Sequence, residues 1–212
     1  MRGLWRCRWS ALVAGMAGFD DPAFYGDRWA EVYDEHHAER DPAPAVEFLA
    51  GVAGQHRAWN WRSVPAGSRS LAARGINVEG VDASQAMVDR LRAKPGGQQI
   101  PVTIGDMAKA PVTGPFGLVY LVFNTLFGLL SQARQAGSFR TVAQLLGPGG
   151  LFVIECFVPV LARFDRGQRV QTIAVTEDSA TFELSCHDAA QQRVTAQIVT
   201  LGPRGMHLRP VA

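Results

Sequence analysis

The amino-acid sequence predicts an α/β fold: a doubly wound, Rossmann-like parallel sheet with helices on both faces, and an antiparallel β meander near the C-terminus. Apolar runs alternate with segments of helical periodicity, which is typical of parallel strands joined by helices. One such run, residues 76–81, ends at Asp82, and Ser84 follows in the position of a helix N-cap. From residue 169 apolar and polar residues alternate, as they do in half-exposed antiparallel strands.

Composition excludes several classes of protein. The chain has 212 residues, 47% of them hydrophobic, which is enough for one sizeable core. Its net charge is +2 and its arginines are scattered, so we expect no nucleic-acid partner. The three cysteines have neither disulfide nor metal-site spacing, which suits a reducing, cytoplasmic location. His36 and His37 are adjacent and diverge by about 100° on a helix, so no metal site is expected.

The first 20 residues resemble a signal peptide only faintly. Three arginines precede the apolar stretch 11–18, which is too short to span a bilayer and is followed by no convincing cleavage site. We therefore expect no membrane segment, and we interpret residues 1–20 as a disordered or mis-started extension. The rest, residues 21–212, is predicted to form a single domain with a core over 21–160 and the meander over 169–201.

Regular elements follow in order along that domain. Residues 22–39 predict a helix with Trp29, Val32, Tyr33 and His36 on one face, where core packing explains Trp29. Further helices are predicted at 45–52 and 131–146, and strands at 100–104, 116–123, 151–157, 170–175, 180–186 and 194–201. A tight turn is expected at 147–150, where glycine and proline cluster.

Residues 57–70 are the exception. They occupy the place of a first buried strand and its turn, yet they contain neither a clean apolar run nor a glycine-rich loop. We expect this stretch to be the least regular part of the domain. Residues 71–75 then have the pattern of a helix end, with Gly75 as the C-terminal cap.

Asp82 is the first candidate site residue. It is predicted at the carboxyl end of a strand, beside a helix N-terminus, and ligands bind at this edge of open α/β sheets. A carboxylate there can accept two hydrogen bonds from a ribose diol. The alternative is a solvated loop aspartate beside a helix cap, and the stretch alone favours neither reading.

Five short motifs occur in a characteristic order. They are YGDRWAEVYD at 25–34, GVDAS at 80–84 with Met87, GDM at 105–107, LVY at 118–120 and LGPGG at 146–150. In this order and spacing the chain resembles a class I S-adenosylmethionine-dependent methyltransferase of the small methyltransferase-domain type, over most of residues 22–201. The resemblance implies a sheet in the order 3-2-1-4-5, S-adenosylmethionine as cofactor and a small-molecule methyl acceptor. It does not define the oligomeric state.

The resemblance implies roles for residues around the nucleoside half of the cofactor. Asp82 would hold the ribose hydroxyls, and Ala83 and Met87 would line the adenine pocket. Asp106 would accept a hydrogen bond from the adenine amino group, and Met107 would pack beside the ring.

At the other end of the cofactor, Phe123 and Asn124 would face the methionine part and the substrate. Tyr33 resembles the aromatic residue that closes over the cofactor, and the meander resembles an insertion that roofs the active site. No residue is distinctive as a catalytic base. His36, His37 and Glu155 are candidates, but a helix surface for the histidines and a strand end for Glu155 explain them as well.

The sequence departs from the family in the glycine-rich motif that should follow the first strand. Residues 58–61 must be encoded GCN-TGG-AAY-TGG, and the shifted frame reads NTG-GAA-YTG, an aliphatic residue followed by Glu and Leu. In that frame residues 62–68 can encode Ala, an aliphatic residue, Gly, Thr, Gly, Arg and Val, which is the missing motif. Our hypothesis is a frameshift near residue 57 and a compensating one near residue 70. Four of the five tryptophans lie in the two segments that fit the pattern badly: Trp5, Trp9, Trp59 and Trp61.

The resemblance also implies two more strands and a helix after the meander, whereas this sequence stops at Ala212. We expect the corresponding sheet edge to be uncovered and prone to aggregation. Two other functions stay open. One is a non-catalytic remnant of the fold. The other is a nicotinamide-nucleotide-binding protein, which needs a G-x-G-x-x-G turn that is absent before residue 71.

Overall fold

A computed structural model describes residues 18, 21–38, 41–54, 56–60, 65–109 and 111–211. They form a five-stranded parallel sheet in the order β3-β2-β1-β4-β5 and a four-stranded antiparallel sheet in the order β6-β7-β8-β9. The parallel strands are β1 (Ala58–Asn60), β2 (Val78–Asp82), β3 (Val102–Ile104), β4 (Phe116–Leu121) and β5 (Leu146–Ile154). The antiparallel strands are β6 (Gln168–Val175), β7 (Ala180–Asp188), β8 (Arg193–Gly202) and β9 (Gly205–Val211). The predicted fold class and strand order are confirmed.

The helices lie between and before the parallel strands. The main ones are α1 (Phe24–Trp29), α2 (Tyr33–His36), α3 (Ala43–Ala53), α4 (Pro65–Ala73), α5 (Gln85–Arg92) and α6 (Gln132–Leu145). The Ser84 hydroxyl caps α5 as predicted, by accepting from the Met87 N–H. The Ser131 hydroxyl caps α6 in the same way, by accepting from the Arg134 N–H. No helix in the described part of the chain is long and apolar enough to cross a membrane.

The central strand is β1, in the stretch expected to be least regular. Ala58 pairs with Val78 on one side and Leu118 on the other, and all three residues of β1 are at most 1% exposed. The expectation of irregularity was wrong for residues 58–60 and for α4. A strand of three residues that lies between two others needs no long apolar run, because its backbone forms hydrogen bonds with both neighbouring strands. Residues 61–64, which belong to the stretch expected to contain the turn, lie outside the described part, as does the extension 1–20 except for residue 18.

The core has one apolar cluster on each face of the parallel sheet. Successive side chains of a strand point to opposite faces, so Ala58 joins the cluster under α3 and α4 while Trp59 joins the cluster under α6. Trp59 is fully buried, and its ring stacks on Phe116 with centroids 5.5 Å apart. Trp59 therefore packs as a core residue whatever the origin of its codon.

The predicted helix over 22–39 is broken. α1 ends at Trp29, a 3₁₀ turn spans Ala30–Val32, and α2 begins at Tyr33. The break lies between two anchors: the Trp29 indole N–H donates to the Pro210 carbonyl at 3.2 Å, and Asp34 pairs with two basic residues of the α5 region. The segment is thus held to strand β9 of the antiparallel sheet on one side and to the region of helix α5 on the other.

Two strand boundaries also differ from the prediction. β5 begins at Leu146 and includes the glycine-rich stretch expected to be a tight turn, with a register irregularity opposite Phe116 and Leu118. The meander has a fourth strand, β9, beyond the predicted limit at residue 201. Pro210 obscures that strand in the sequence, because proline weakens a strand pattern. The structure tolerates it because β9 is an edge strand.

Candidate functional site

The carboxyl ends of β2, β3 and β4 meet at one edge of the parallel sheet. Asp82 ends β2 and is only 5% exposed, and its carbonyl accepts from the Gly105 N–H at 3.0 Å. This bond ties the end of β2 to the end of β3, where Asp106 follows. Two of the predicted cofactor carboxylates are therefore on neighbouring strand ends, the position at which open α/β sheets bind ligands.

Asp82 is held by the turn that follows it. Its Oδ1 accepts from the Ser84 N–H at 2.9 Å, and the buried Ser84 caps α5. Ala83 is half-buried between them, and Met87 is 2% exposed in the first turn of α5. The solvated-loop alternative for Asp82 does not fit this burial.

Asp106 has partners that the sequence did not indicate. Its Oδ1 accepts from the Ala108 N–H at 2.9 Å, and its Oδ2 accepts from the Arg134 guanidinium at 2.6 Å. A carboxylate has about four acceptor positions, so these two bonds leave capacity for a ligand donor. Met107 packs against the core cluster that contains Trp59.

A cavity of about 460 Å³ lies beside Asp106. Its lining residues are Pro22, Asp106, Ala108, Lys109, Arg134 and Gly137. Asp82 does not line it. The cavity therefore covers only the part of the sheet edge that is next to Asp106. The open space lies at the end where the resemblance places the adenine amino group.

Phe123 and Asn124 form a strained turn after β4. Both residues have left-handed backbone angles, with φ of 56° and 66°. Asparagine tolerates this conformation, but a bulky residue such as Phe123 adopts it only under constraint. The constraint comes from Glu155: its Oε2 accepts from the Phe123 N–H at 3.3 Å, and its carbonyl accepts from the Asn124 N–H at 3.2 Å.

The turn is also fixed on its far side, because Asn124 Oδ1 accepts from the Phe157 N–H at 2.7 Å. Glu155 thus has a structural contact at the strand end, where the sequence offered it as a candidate base. The arrangement presents a rigid turn at the end of β4, next to the segment that leads to the antiparallel sheet.

The N-terminal segment carries an aromatic cluster. The Tyr33 ring lies 4.4 Å from the His37 ring, and the Trp29 ring lies 4.6 Å from the His36 ring, measured between centroids. The structure therefore brings Tyr33 together with the two candidate histidines. It brings the strand-end residues Asp82, Ala83, Met87, Asp106 and Met107 together elsewhere, and the roles of all these residues stay predictions.

A buried polar chain lies at the end of β1, and sequence reasoning missed it. Asn60 donates from Nδ2 to Ser68 Oγ at 2.6 Å, and that oxygen lies 3.4 Å from the Tyr120 hydroxyl. Burial raises the pKa of Tyr120 well above its ordinary value of 10, so the phenol stays neutral at physiological pH. Little in the sequence indicated this hydrogen-bonded chain of residues. Asn60 ends a strand that is too short to show a strand pattern, so nothing marked it as a buried strand-end residue.

Metal ligation has no support in the part of the chain that the structure describes. There, no three His, Cys, Asp or Glu side chains are grouped so that they could hold a metal ion. The chemistry of the strand-end carboxylates is instead that of acceptors for hydroxyl and amino donors.

Comparison with known proteins agrees with this geometry. Residues 66–150 match the family described as a methyltransferase domain. The CcbJ methyltransferase from Streptomyces caelestis is 32% identical, with a TM-score of 0.80, and the match covers 88% of this chain and 78% of that one. The cypemycin N-terminal methyltransferase of a Streptomyces species is 26% identical over 192 residues, covering 86% of this chain and 76% of that protein.

The fold is shared more widely. CalS10, an amino pentose methyltransferase from Micromonospora echinaspora solved with S-adenosylmethionine bound, has a TM-score of 0.59 at 17% identity, over 100% of this chain and 82% of that chain. The chain therefore belongs to the class I S-adenosylmethionine-dependent methyltransferases, and S-adenosylmethionine is its cofactor. The comparisons favour neither a nicotinamide-nucleotide protein nor a non-catalytic remnant. The frameshift and truncation hypotheses stay predictions.

The ion pairs of Asp34 give a pH prediction. Partial burial raises the pKa of Asp34, but the hydrogen bonds and charges of Lys94 and Arg90 outweigh it, so the pKa lies below its ordinary 3.8. A depressed folded-state pKa stabilises the fold above the unfolded value, and the benefit is lost as the pH falls through the folded value. Because 40% of the Asp34 side chain is exposed, we expect Asp34→Asn to cost at most about 1 kcal/mol at neutral pH.

Urea unfolding of wild type and Asp34→Asn at several pH values checks this. The difference between the two proteins should vanish as the pH falls below 3.8. Glu35→Gln, at an exposed neighbour, is the control and should show little difference at any pH. An Asp34→Asn effect of the same size at neutral and acid pH contradicts the assignment.

Proposed function

We propose that this chain transfers a methyl group from S-adenosylmethionine to a nitrogen atom of a small-molecule amine. The observation that carries the proposal is the buried carboxylate of Asp82 at the end of β2, fixed by the cap of α5. The amine acceptor is supported by the cypemycin relative, whose name describes it as an N-terminal methyltransferase. The choice of nitrogen as the methyl-accepting atom is tested separately from the methyltransferase activity.

The described residues fit the nucleoside half of the cofactor. Asp82 accepts from the ribose hydroxyls, and Asp106 accepts from the adenine amino group beside the 460 Å³ cavity. Ala83, Met87 and Met107 supply apolar surface for the ring. Two carboxylates at adjacent strand ends suit a ligand that offers hydroxyl and amino donors. They do not suit a ligand with a phosphate at this place, because the negative charges would repel each other.

The family pattern assigns the methionine half to the glycine-rich motif and to the turn after β4; the motif corresponds to residues around 61–64, which lie outside the described part of the chain. Phe123 and Asn124 face this end, and the strained backbone there is a reason to assign them a role in the site. The family resemblance assigns Tyr33 to closing over the cofactor and the antiparallel sheet to roofing the site. Binding of the methionine half depends on the glycine-rich motif in the family pattern, so the sequence of this stretch is the first feature to test.

When bound, S-adenosylmethionine supplies an already activated sulfonium methyl group. The protein aligns the acceptor and excludes water, so proximity and orientation provide much of the rate. A neutral amine exposes its lone pair without a general base. This agrees with Glu155 being bonded to the Phe123 N–H and with His36 and His37 lying in aromatic contacts.

The first test of this function concerns the glycine-rich motif. We expect the chain as written to bind S-adenosylmethionine poorly, because the stretch in which the family has its glycine-rich motif here contains Trp61, Arg62, Val64 and Pro65. Glycines let the backbone approach the cofactor, and these bulkier residues do not. A rebuilt chain, with residues 58–68 replaced by the shifted-frame reading, should bind tightly. Calorimetric titration of both proteins with S-adenosylhomocysteine checks this, and equal, tight binding by both shows that the glycine loop is dispensable.

The second test concerns Asp82 in the rebuilt chain. Asp82→Ala removes a charged acceptor for two hydroxyls, so S-adenosylhomocysteine binding should weaken by about 1.5–3 kcal/mol. Asp89→Ala is the matched control, because Asp89 is an exposed carboxylate on α5. An unchanged dissociation constant in Asp82→Ala removes Asp82 from the site.

The third test concerns the acceptor. Both chains are incubated with radiolabelled S-adenosylmethionine and paired substrates that differ only in an amine or a hydroxyl at one carbon. We expect label transfer to the amines, rising with pH as the neutral amine becomes populated. Preferential transfer to the hydroxyl partners rejects the amine and leaves the methyltransferase assignment intact.

A further inference from the structure

Two carboxylates converge on one buried serine. The Ser84 hydroxyl donates to Asp27 Oδ1 at 2.6 Å, and the Ser84 N–H donates to Asp82 Oδ1 at 2.9 Å. A hydroxyl has one proton and two lone pairs, so Ser84 also accepts from the Met87 N–H at 3.2 Å. The turn at residues 82–84 is therefore fixed from α1 as well as from β2 and α5.

Gly26 makes the contact from α1 possible. A Cβ at residue 26 would lie 2.4 Å from Ser84 Cβ and 2.9 Å from Ser84 Oγ, closer than non-bonded atoms approach. Any side chain there would push α1 away from the 82–84 turn. Because Gly26 and Asp27 are adjacent, the close approach and the hydrogen bond to Ser84 form together.

We propose that Asp27 is a positioning residue for the cofactor-binding carboxylate. By fixing Ser84, Asp27 holds Asp82 in the orientation that accepts the ribose hydroxyls. The proposal rests on the function proposed above for Asp82. Because coupling between two sites is reciprocal, docking of α1 favours nucleoside binding, and nucleoside binding favours docking of α1.

The contact is more than an anchor for the N-terminal segment. That segment has two other anchors, the Trp29 bond to the Pro210 carbonyl and the ion pairs of Asp34 with Arg90 and Lys94. Removal of the Asp27 carboxylate should therefore leave the segment folded and change mainly the 82–84 turn. This separation makes the proposal testable.

The first measurement is amide hydrogen exchange of the unliganded chain. Asp27→Ala should raise exchange several-fold over residues 84–88, because the Ser84 hydroxyl loses its acceptor. Asp27→Asn should stay close to wild type, since the amide oxygen also accepts from Ser84. Glu35→Gln removes a carboxylate from the same segment without touching Ser84 and is the charge-matched control. Unchanged exchange over 84–88 in Asp27→Ala overturns the proposal.

The second measurement is S-adenosylhomocysteine affinity, in the chain as written and in the rebuilt chain. Asp27→Ala should weaken binding about tenfold, and Asp27→Asn should lose about threefold or less. In a Ser84→Ala background, Asp27→Ala should change the affinity less than twofold, because its partner is already gone. An equal loss with and without Ser84→Ala shows that Asp27 does not act through Ser84 and overturns the proposal.

Gly26→Ala tests the same contact from the packing side and should weaken binding as Asp27→Ala does. Its control is Gly51→Ala in α3, where no atom lies within 4 Å of the added Cβ. If the rebuilt chain binds no S-adenosylhomocysteine at all, the proposed function fails. The exchange result on the unliganded chain then still decides whether Asp27 fixes the 82–84 turn.

Discussion

The short central strand β1 is the constraint on which the rest of the site depends. Its three residues pair with β2 and with β4. In this register Asn60 lies opposite Gly80 on one side and opposite Tyr120 on the other. Asp82 follows Gly80 by two residues along β2, and Phe123 follows Tyr120 by three residues at the end of β4. One register thus places the buried carboxylate and the strained turn at the same sheet edge, although they are far apart in the sequence.

The sequence predicted those parts of the fold that have periodicity or a capping signal. β2 and β4 were found from apolar runs, α5 from the capping residue Ser84, and α6 from its helical periodicity. The Ser131 hydroxyl also caps α6, although the sequence analysis did not assign it that role. For β1 only the implied strand order predicted a strand in this stretch, because three residues are too few to show any period. Trp59, which looked foreign to the segment, fills the core against Phe116.

The candidate site was predictable to the extent that it follows strand ends. Asp82 and Asp106 come directly after strands and therefore share an edge of the sheet. Their partners were not predictable, because Asp27 lies 57 residues from Ser84 and Arg134 lies 28 residues from Asp106. Such pairs form only once the helices are packed, and no local spacing encodes them. The left-handed backbone conformation of Phe123 could not be predicted either, because bulky residues rarely adopt it.

The bond between Trp29 and Pro210 joins residues 181 positions apart. On the ribosome, where chains emerge at about 5–20 residues per second, the indole of Trp29 waits many seconds for its partner. During that interval a large aromatic ring that ends 1% exposed is open to solvent and to other chains. The order of synthesis thus delays this contact until β9 has been made, whereas the bonds of Asp27 and Asp34 to residues 84–94 can form much earlier.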